Sequence, residues 1–241
     1  MGAGSLRRAA TARHFVSSLH ATAVGCLLLI SLSCGASADN LPSKIEAPTI
    51  KKGDSWTYNK IDGWKNQKEF TSVMVVTDVT DAGFTEEAKR TDNGVVTIFH
   101  RDKNLNLLET EVGDRKFITT PFEPHLSFPL EVGKTWEQEV TYTRNFDDRK
   151  VVASLKAKVV GWEKVSVPAG TFDALKIMID GPYNGSSSSP SGGRWSGQRS
   201  ETLWYSPEAK TTVKLIYEDP DTYRSGLTKA IYEVVEYKLV Q

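Results

Sequence analysis

From Ser55 onward apolar and polar residues alternate along the chain, and the 3.6-residue spacing of a helix is nearly absent. Trp56, Tyr58 and Lys60 share one face of a predicted strand. Phe70–Asp78 (FTSVMVVTD) and Val95–Phe99 (VVTIF) are rich in the β-branched and aromatic residues that suit a pleated surface. Further runs of this kind cover 135–144, 150–160, 172–180, 200–205, 212–217 and 228–239. Turn chemistry separates them. Asp92-Asn93-Gly94 contains the Asn-Gly pair that tolerates the positive φ of a type I′ hairpin. Asp81-Ala82-Gly83 and Val167-Pro168-Ala169-Gly170 mark two more turns; Pro168 presets φ for a turn position and Gly170 suits the left-handed position after it. About ten to twelve short strands predict an all-β, mainly antiparallel fold.

The alternation also repeats. Lys51-Lys52-Gly53-Asp54-Ser55-Trp56 and Glu131-Val132-Gly133-Lys134-Thr135-Trp136 both place Trp three residues after Gly, 80 positions apart. At that offset Val79 falls opposite Val159. Phe84-Thr85-Glu86-Glu87-Ala88 matches Phe172-Asp173-Ala174-Leu175-Lys176 at an offset of 88, and Thr97–Arg101 resembles Thr202–Ser206. The expected organisation is a polar lead-in at 39–50, a first β repeat at 51–120 and a second at 121–241. The expected architecture is one or more curved, mainly antiparallel sheets, half-barrel or sandwich-like. Two tandem related halves would build it, with little or no helix after residue 38.

The stretch Val167-Pro168-Ala169-Gly170-Thr171-Phe172, with Thr202-Leu203-Trp204-Tyr205-Ser206-Pro207-Glu208 downstream, resembles a group of uncharacterised bacterial exported β-domain proteins. That group shows a Val-Pro-Ala-Gly-x-Phe hairpin and a Trp-Tyr-Ser-Pro strand end. Phe128–Trp136 (FPLEVGKTW) is similar to the segment that opens its domain. The resemblance covers mainly 126–217. It departs at Ala209-Lys210, where the group has an apolar residue and then Gly. It implies an envelope location and a curved antiparallel sheet, and no activity.

The N-terminal segment agrees with that location. Arg7, Arg8 and Arg13 precede the apolar run Val24–Ile30, and Ala36-Ser37-Ala38 follows, with no acidic residue before Asp39. This is the pattern of a secretory signal peptide over 1–38, cleaved after Ala38. A lipoprotein box at Ala23-Val24-Gly25-Cys26 is the lesser alternative, with Cys34 a poorer match. Cleavage after Ala38 removes both cysteines, and with them thiolate and Cys–zinc chemistry. Loss of the three leader arginines leaves 27 basic against 30 acidic side chains, a net of −3 that gives no reason to expect nucleic acid.

Candidate chemistry is sparse. No catalytic residue, metal ligand or cofactor is assigned. His100 reads as a sheet-face residue and His125, after Pro124, as a surface-loop residue. No Gly-x-Ser-x-Gly elbow, phosphate loop or dinucleotide fingerprint occurs. Glu86-Glu87 cannot converge on a strand, because neighbours point to opposite faces. Asp147-Asp148 and Glu218-Asp219-Pro220-Asp221 read as solvated turns. Trp56 and Trp136 read as packing residues rather than a sugar platform. Gly181–Gln198 (GPYNGSSSSPSGGRWSGQ) reads as a long flexible loop. It is either disordered or a mobile flap with Arg194, Trp195 and Tyr183 as its ligand or partner contacts. The leading functional expectation is a non-catalytic exported cell-envelope protein. Its curved sheet would bind a lipid, another apolar ligand or a protein segment, with no transmembrane segment in the mature chain. A structural module of an envelope assembly, pairing near Thr228–Leu239, and a carboxylate-dependent hydrolase are the alternatives.

Overall fold

The computed structural model describes residues 41–189, 192–219 and 228–241. The expectations for 1–38, including the leader, its cleavage and both cysteines, lie outside these residues. From Pro42 on, the chain forms one compact unit. No helix occurs among the described residues, and none is long and apolar enough to cross a membrane.

The strands are β1 (Lys44–Ile45), β2 (Ser55–Asp62), β3 (Gln67–Val79), β4 (Gly83–Arg90), β5 (Val96–Asp102), β6 (Leu107–Val112) and β7 (Arg115–Thr120). They continue as β8 (Leu130–Glu131), β9 (Thr135–Arg144), β10 (Lys150–Val167), β11 (Gly170–Ser187), β12 (Gly193–Ser206), β13 (Thr211–Asp219) and β14 (Thr228–Lys238). β1 and β8 pair with each other. The other twelve close into one antiparallel barrel in chain order. The half-barrel or sandwich expected from sequence is therefore corrected to a full barrel. Its two seams are β7–β9, from Phe117↔Arg144 to Thr120↔Thr141, and β14–β2, from Ala230↔Asp62 to Lys238↔Ser55. Register shifts at Lys60/Ile61, Val76/Asp78, His100/Arg101, Val159/Gly161, Trp204/Tyr205 and Val234/Glu236 supply the extra twist and bend that bring the ends together. β14 is paired on both sides, so the edge-strand reading of Thr228–Leu239 is also corrected.

Alternation decides which side chains fill the barrel. In β10, Ala153, Leu155, Ala157 and Val159 are buried while Ser154, Lys156, Lys158 and Val160 are exposed. The interior cluster joins them to Trp56, Val76, Leu130, Val140, Ile177, Leu203 and Tyr205. A smaller cluster forms where the β10–β11 hairpin turns: Val165, Phe172 and Ala174 pack against Ala209, Val213 and Val234, and Ala169 N donates to Val234 O. The outer face is charged in mid-strand, with Lys156–Glu137 and Lys176–Glu163 pairs. A membrane-spanning barrel presents an apolar band there instead.

Gly53 and Gly133 head β2 and β9 in matching ways. Gly53 N donates to Val76 O and Gly133 N to Val159 O, both at 2.9 Å. Asp54 N reaches Lys51 O and Lys134 N reaches Glu131 O, both at 3.0 Å; Val76 N returns to Asp54 O and Val159 N to Lys134 O, both at 2.9 Å. Both glycines are left-handed, with φ of 94° and 89°. Six barrel strands follow each.

The Gly/Ser stretch 181–198 is corrected as well. Apart from the tip it is strand, paired from Gly181↔Arg199 to Ser187↔Gly193. Its glycines make room for rings. A Cβ on Gly185 would lie 2.0 Å from Trp195 Cε2, and one on Gly197 would lie 2.3 Å from the Tyr183 hydroxyl oxygen.

Candidate functional site

The barrel is packed at one end and accessible at the other. Around the turns that join β3–β4, β5–β6 and β12–β13, inward side chains such as Val76, Leu203 and Tyr205 are buried to about 1 % exposure or less. Toward the opposite end the inward faces hold Tyr142, Tyr217, Tyr232, Phe70 and Phe99, all only half-buried. Their facing follows from register: Tyr217 lies opposite buried Glu201, and Phe99 opposite buried Glu86.

A cluster of charges lies between the two regions. The connection 121–129 leaves β7 and folds into the barrel instead of around it. Asn106, itself 1 % exposed, holds it by two hydrogen bonds: Leu126 N donates to Oδ1 at 3.0 Å, and Nδ2 donates to Leu126 O at 2.9 Å. Glu123 N donates to Leu107 O, and Trp136 Nε1 donates to Pro124 O. His125 N donates to Glu123 O, a three-residue turn that brings the Glu123 and His125 side chains together.

Arg199, on the inward face of β12, meets them. Its Nη2 lies 2.7 Å from Glu123 Oε1, its Nη1 donates to the Tyr142 hydroxyl at 2.5 Å, and its Nε donates to Glu201 Oε1. The Tyr142 hydroxyl in turn donates to Glu123 Oε1 at 3.2 Å. Glu201 and Glu123 are 2 % and 5 % exposed. Burial alone would raise the Glu201 carboxyl, but Arg199 and His125 hold it down at about 2. Burial would likewise lower the Arg199 guanidinium, and the two carboxylates push it well above its ordinary value. Tyr142 is pushed up by burial and by Glu123. At the accessible end of β13, the Tyr183 and Tyr217 hydroxyls both donate to Asp219, at 2.9 Å each.

At the accessible end, Phe117, Tyr142 and Val151 wall a depression of about 220 Å³, with Arg144 and Arg149 at its edge. Arg144 is paired with Asp147. Arg149 makes no ion pair among the described residues and stacks on Trp195, its guanidinium carbon 4.8 Å from the ring centroid. Phe146, 39 % exposed, sits between Arg115 and Arg144.

The three residues expected to act together are separated. Trp195 and Tyr183 face inward and are packed, whereas Arg194 is exposed on the outer face. A second depression, of about 160 Å³, lies beside Leu126 and Trp136. His100 sits on the outer face as expected. His125, expected on a surface loop, is instead drawn into the interior cluster. A signal for this existed in the long connection from Pro121 to Pro129, whose Phe122, Leu126 and Phe128 are too apolar for a solvated loop. Asp148 is a turn residue, its carboxyl lowered to about 2 by Ser188 and Ser187, which tie the β9–β10 turn to the β11–β12 tip.

No family model and no curated protein matches this chain. Solved structures with a related outline exist. One, provisionally described as an exported protein with YmcC-like fold from Bacteroides fragilis NCTC 9343, is 15% identical with a TM-score of 0.48, over 81% of this chain and 99% of that one. Another, provisionally described as a lipoprotein from Parabacteroides distasonis ATCC 8503, is 13% identical with a TM-score of 0.44, over 80% and 99%. The hypothetical lipoprotein YmcC from Escherichia coli K12 is 11% identical with a TM-score of 0.43, over 78% and 86%. Identities and scores this low say nothing about ligand or activity.

Proposed function

We propose that this chain is a non-catalytic exported cell-envelope protein whose barrel mouth binds the apolar part of an anionic amphiphile. The observation that carries this reading is the depression of about 220 Å³ between Phe117, Tyr142 and Val151, bordered by Arg149. A site of this size takes one apolar group, since pockets for whole drug-sized ligands run to about 300–1,000 Å³. A guanidinium without a carboxylate partner is suited to the headgroup. Export rests on the leader pattern of 1–38. One interior acid supports the absence of catalysis. A hydrolase needs one carboxyl raised toward neutrality, and Glu201 is lowered to about 2.

The same reading makes the barrel a duplication. The matching hydrogen bonds at Gly53 and Gly133, and the six strands that follow each, support two related halves. That correspondence sets Val76, rather than Val79, against Val159.

Titration with a dansyl-labelled fatty acid tests the site. Saturable binding is expected, weakened at least fivefold by Phe117→Ala and by Arg149→Ala, and weak for the uncharged dansyl amide of the same length. Equal binding of acid and amide, or none, would overturn it. Mass spectrometry of protein isolated without harsh detergent separates a lipid from a bound protein segment.

A further inference from the structure

Two clusters among the described residues bring a histidine within ligand distance of two carboxylates. The outer one, His100 with Glu109 and Glu111, is already satisfied. His100 Nε2 lies 3.0 Å from Glu111 Oε1 and its Nδ1 lies 3.2 Å from Thr85 Oγ1. Lys116 Nζ donates to Glu109 and Glu111 at 2.8 Å each. An ion there would have to displace an ammonium group.

The interior cluster of Glu123, His125 and Glu201 differs in two respects. Its two carboxylates share a single guanidinium among the described residues, an arrangement that a further positive charge would relieve in a low-dielectric interior. In addition, His125 Nε2 is buried and has no hydrogen-bond partner. It lies 2.8 Å from Glu201 Oε2 and 3.8 Å from Glu123 Oε1. The nearer contact is close enough for a hydrogen bond but lacks the direction of one. Ligand atoms about 2.0–2.2 Å from a shared ion lie roughly 3 Å or a little more from one another, and the two observed separations bracket that spacing.

We propose that Glu123, His125 and Glu201 form a structural site for one divalent transition-metal ion. Zn²⁺ best matches one imidazole nitrogen and two carboxylates. Arg199 keeps Glu201 Oε1 and orients Glu123, as outer partners of metal ligands commonly do. Glu201 Oε2 and His125 Nε2 remain for the ion. The consequence is mechanical: two ligands come from the inserted connection 121–129 and one from β12, so the ion pins that connection to the barrel wall.

The test uses the mature chain from Asp39, whose residues from Pro42 form one compact unit. After removal of metal with a chelator, calorimetric titration with ZnCl₂ is expected to show one ion per chain, with a higher unfolding temperature in its presence. His125→Ala should weaken binding at least tenfold and abolish the thermal shift; His100→Ala should change neither. Binding unaltered by His125→Ala, or uptake without a one-to-one end point, would identify an adventitious ion and overturn the site. Zinc X-ray absorption on the unaltered protein decides the matter if His125→Ala does not fold. One imidazole among oxygen ligands is required, and a shell with several imidazoles or none overturns the proposal.

Discussion

At Gly185 and Gly197 the missing side chain is what matters. Each lies across from an aromatic residue, Trp195 and Tyr183 respectively, whose ring occupies the space of a Cβ. Gly185→Ala is therefore expected to destabilise the protein by about 1–3 kcal/mol, the usual range for overpacking, seen as a lower urea midpoint with unchanged slope. Gly161 is the control: nothing lies within 4 Å of its Cβ position, and Gly161→Ala should stay within about 0.5 kcal/mol. In a Trp195→Ala background Gly185→Ala should cost less than it does alone, since the two residues contact each other. Were this segment a flexible linker, Gly185→Ala would be neutral. Composition alone suggests one, because it shows glycine and serine but not the ring across the strand. Lys210 is a related case. It adopts φ of 54° where the resembled group has Gly, and its Nζ donates to Thr49 O and lies 3.6 Å from buried Asp54.

Among elements, the strands were legible and the inserted connection was not. Strand positions such as 150–160 announce themselves by alternation, because one face is buried and the other solvated. The segment 121–129 has no period. Its burial depends on Asn106, on the far side of β6 and β7 in sequence, and on Arg199 in β12. Asn106→Ala tests how far the segment depends on that contact. It strands the amide and carbonyl of Leu126 in a buried place, at about 1–3 kcal/mol for each unsatisfied group. Hydrogen exchange is the direct reading. The amides of Glu123 and Leu126 should exchange faster while the β10–β11 ladder keeps its protection. Uniform acceleration across the barrel would mean that the connection is not a separable element. Slower or unchanged exchange would mean that Asn106 does not hold it.

The closure of the whole barrel was beyond sequence reading for a physical reason. A local pattern specifies which face of a strand is apolar, not which strand lies beside it. The β14–β2 seam joins Lys238 to Ser55, and the β1–β8 pair joins Lys44 to Glu131, contacts between distant parts of the chain. Closure also sets what the two sets of six strands can do apart. Cut between β7 and β9, each would expose two unpaired edges and half of a core whose apolar face needs the other. Residues 39–125 and 126–241, expressed separately, should each be poorly folded or self-associated, and their co-expression should restore a one-to-one complex with the thermal unfolding of a single cooperative unit. Circular dichroism and size-exclusion chromatography read both states. A monomeric, cooperatively folding half would show that the seams are docking contacts between independent domains. Homodimers of one half, carrying the spectrum of the intact barrel, would instead show that either half can supply the other's edges, as related units in a duplicated frame should.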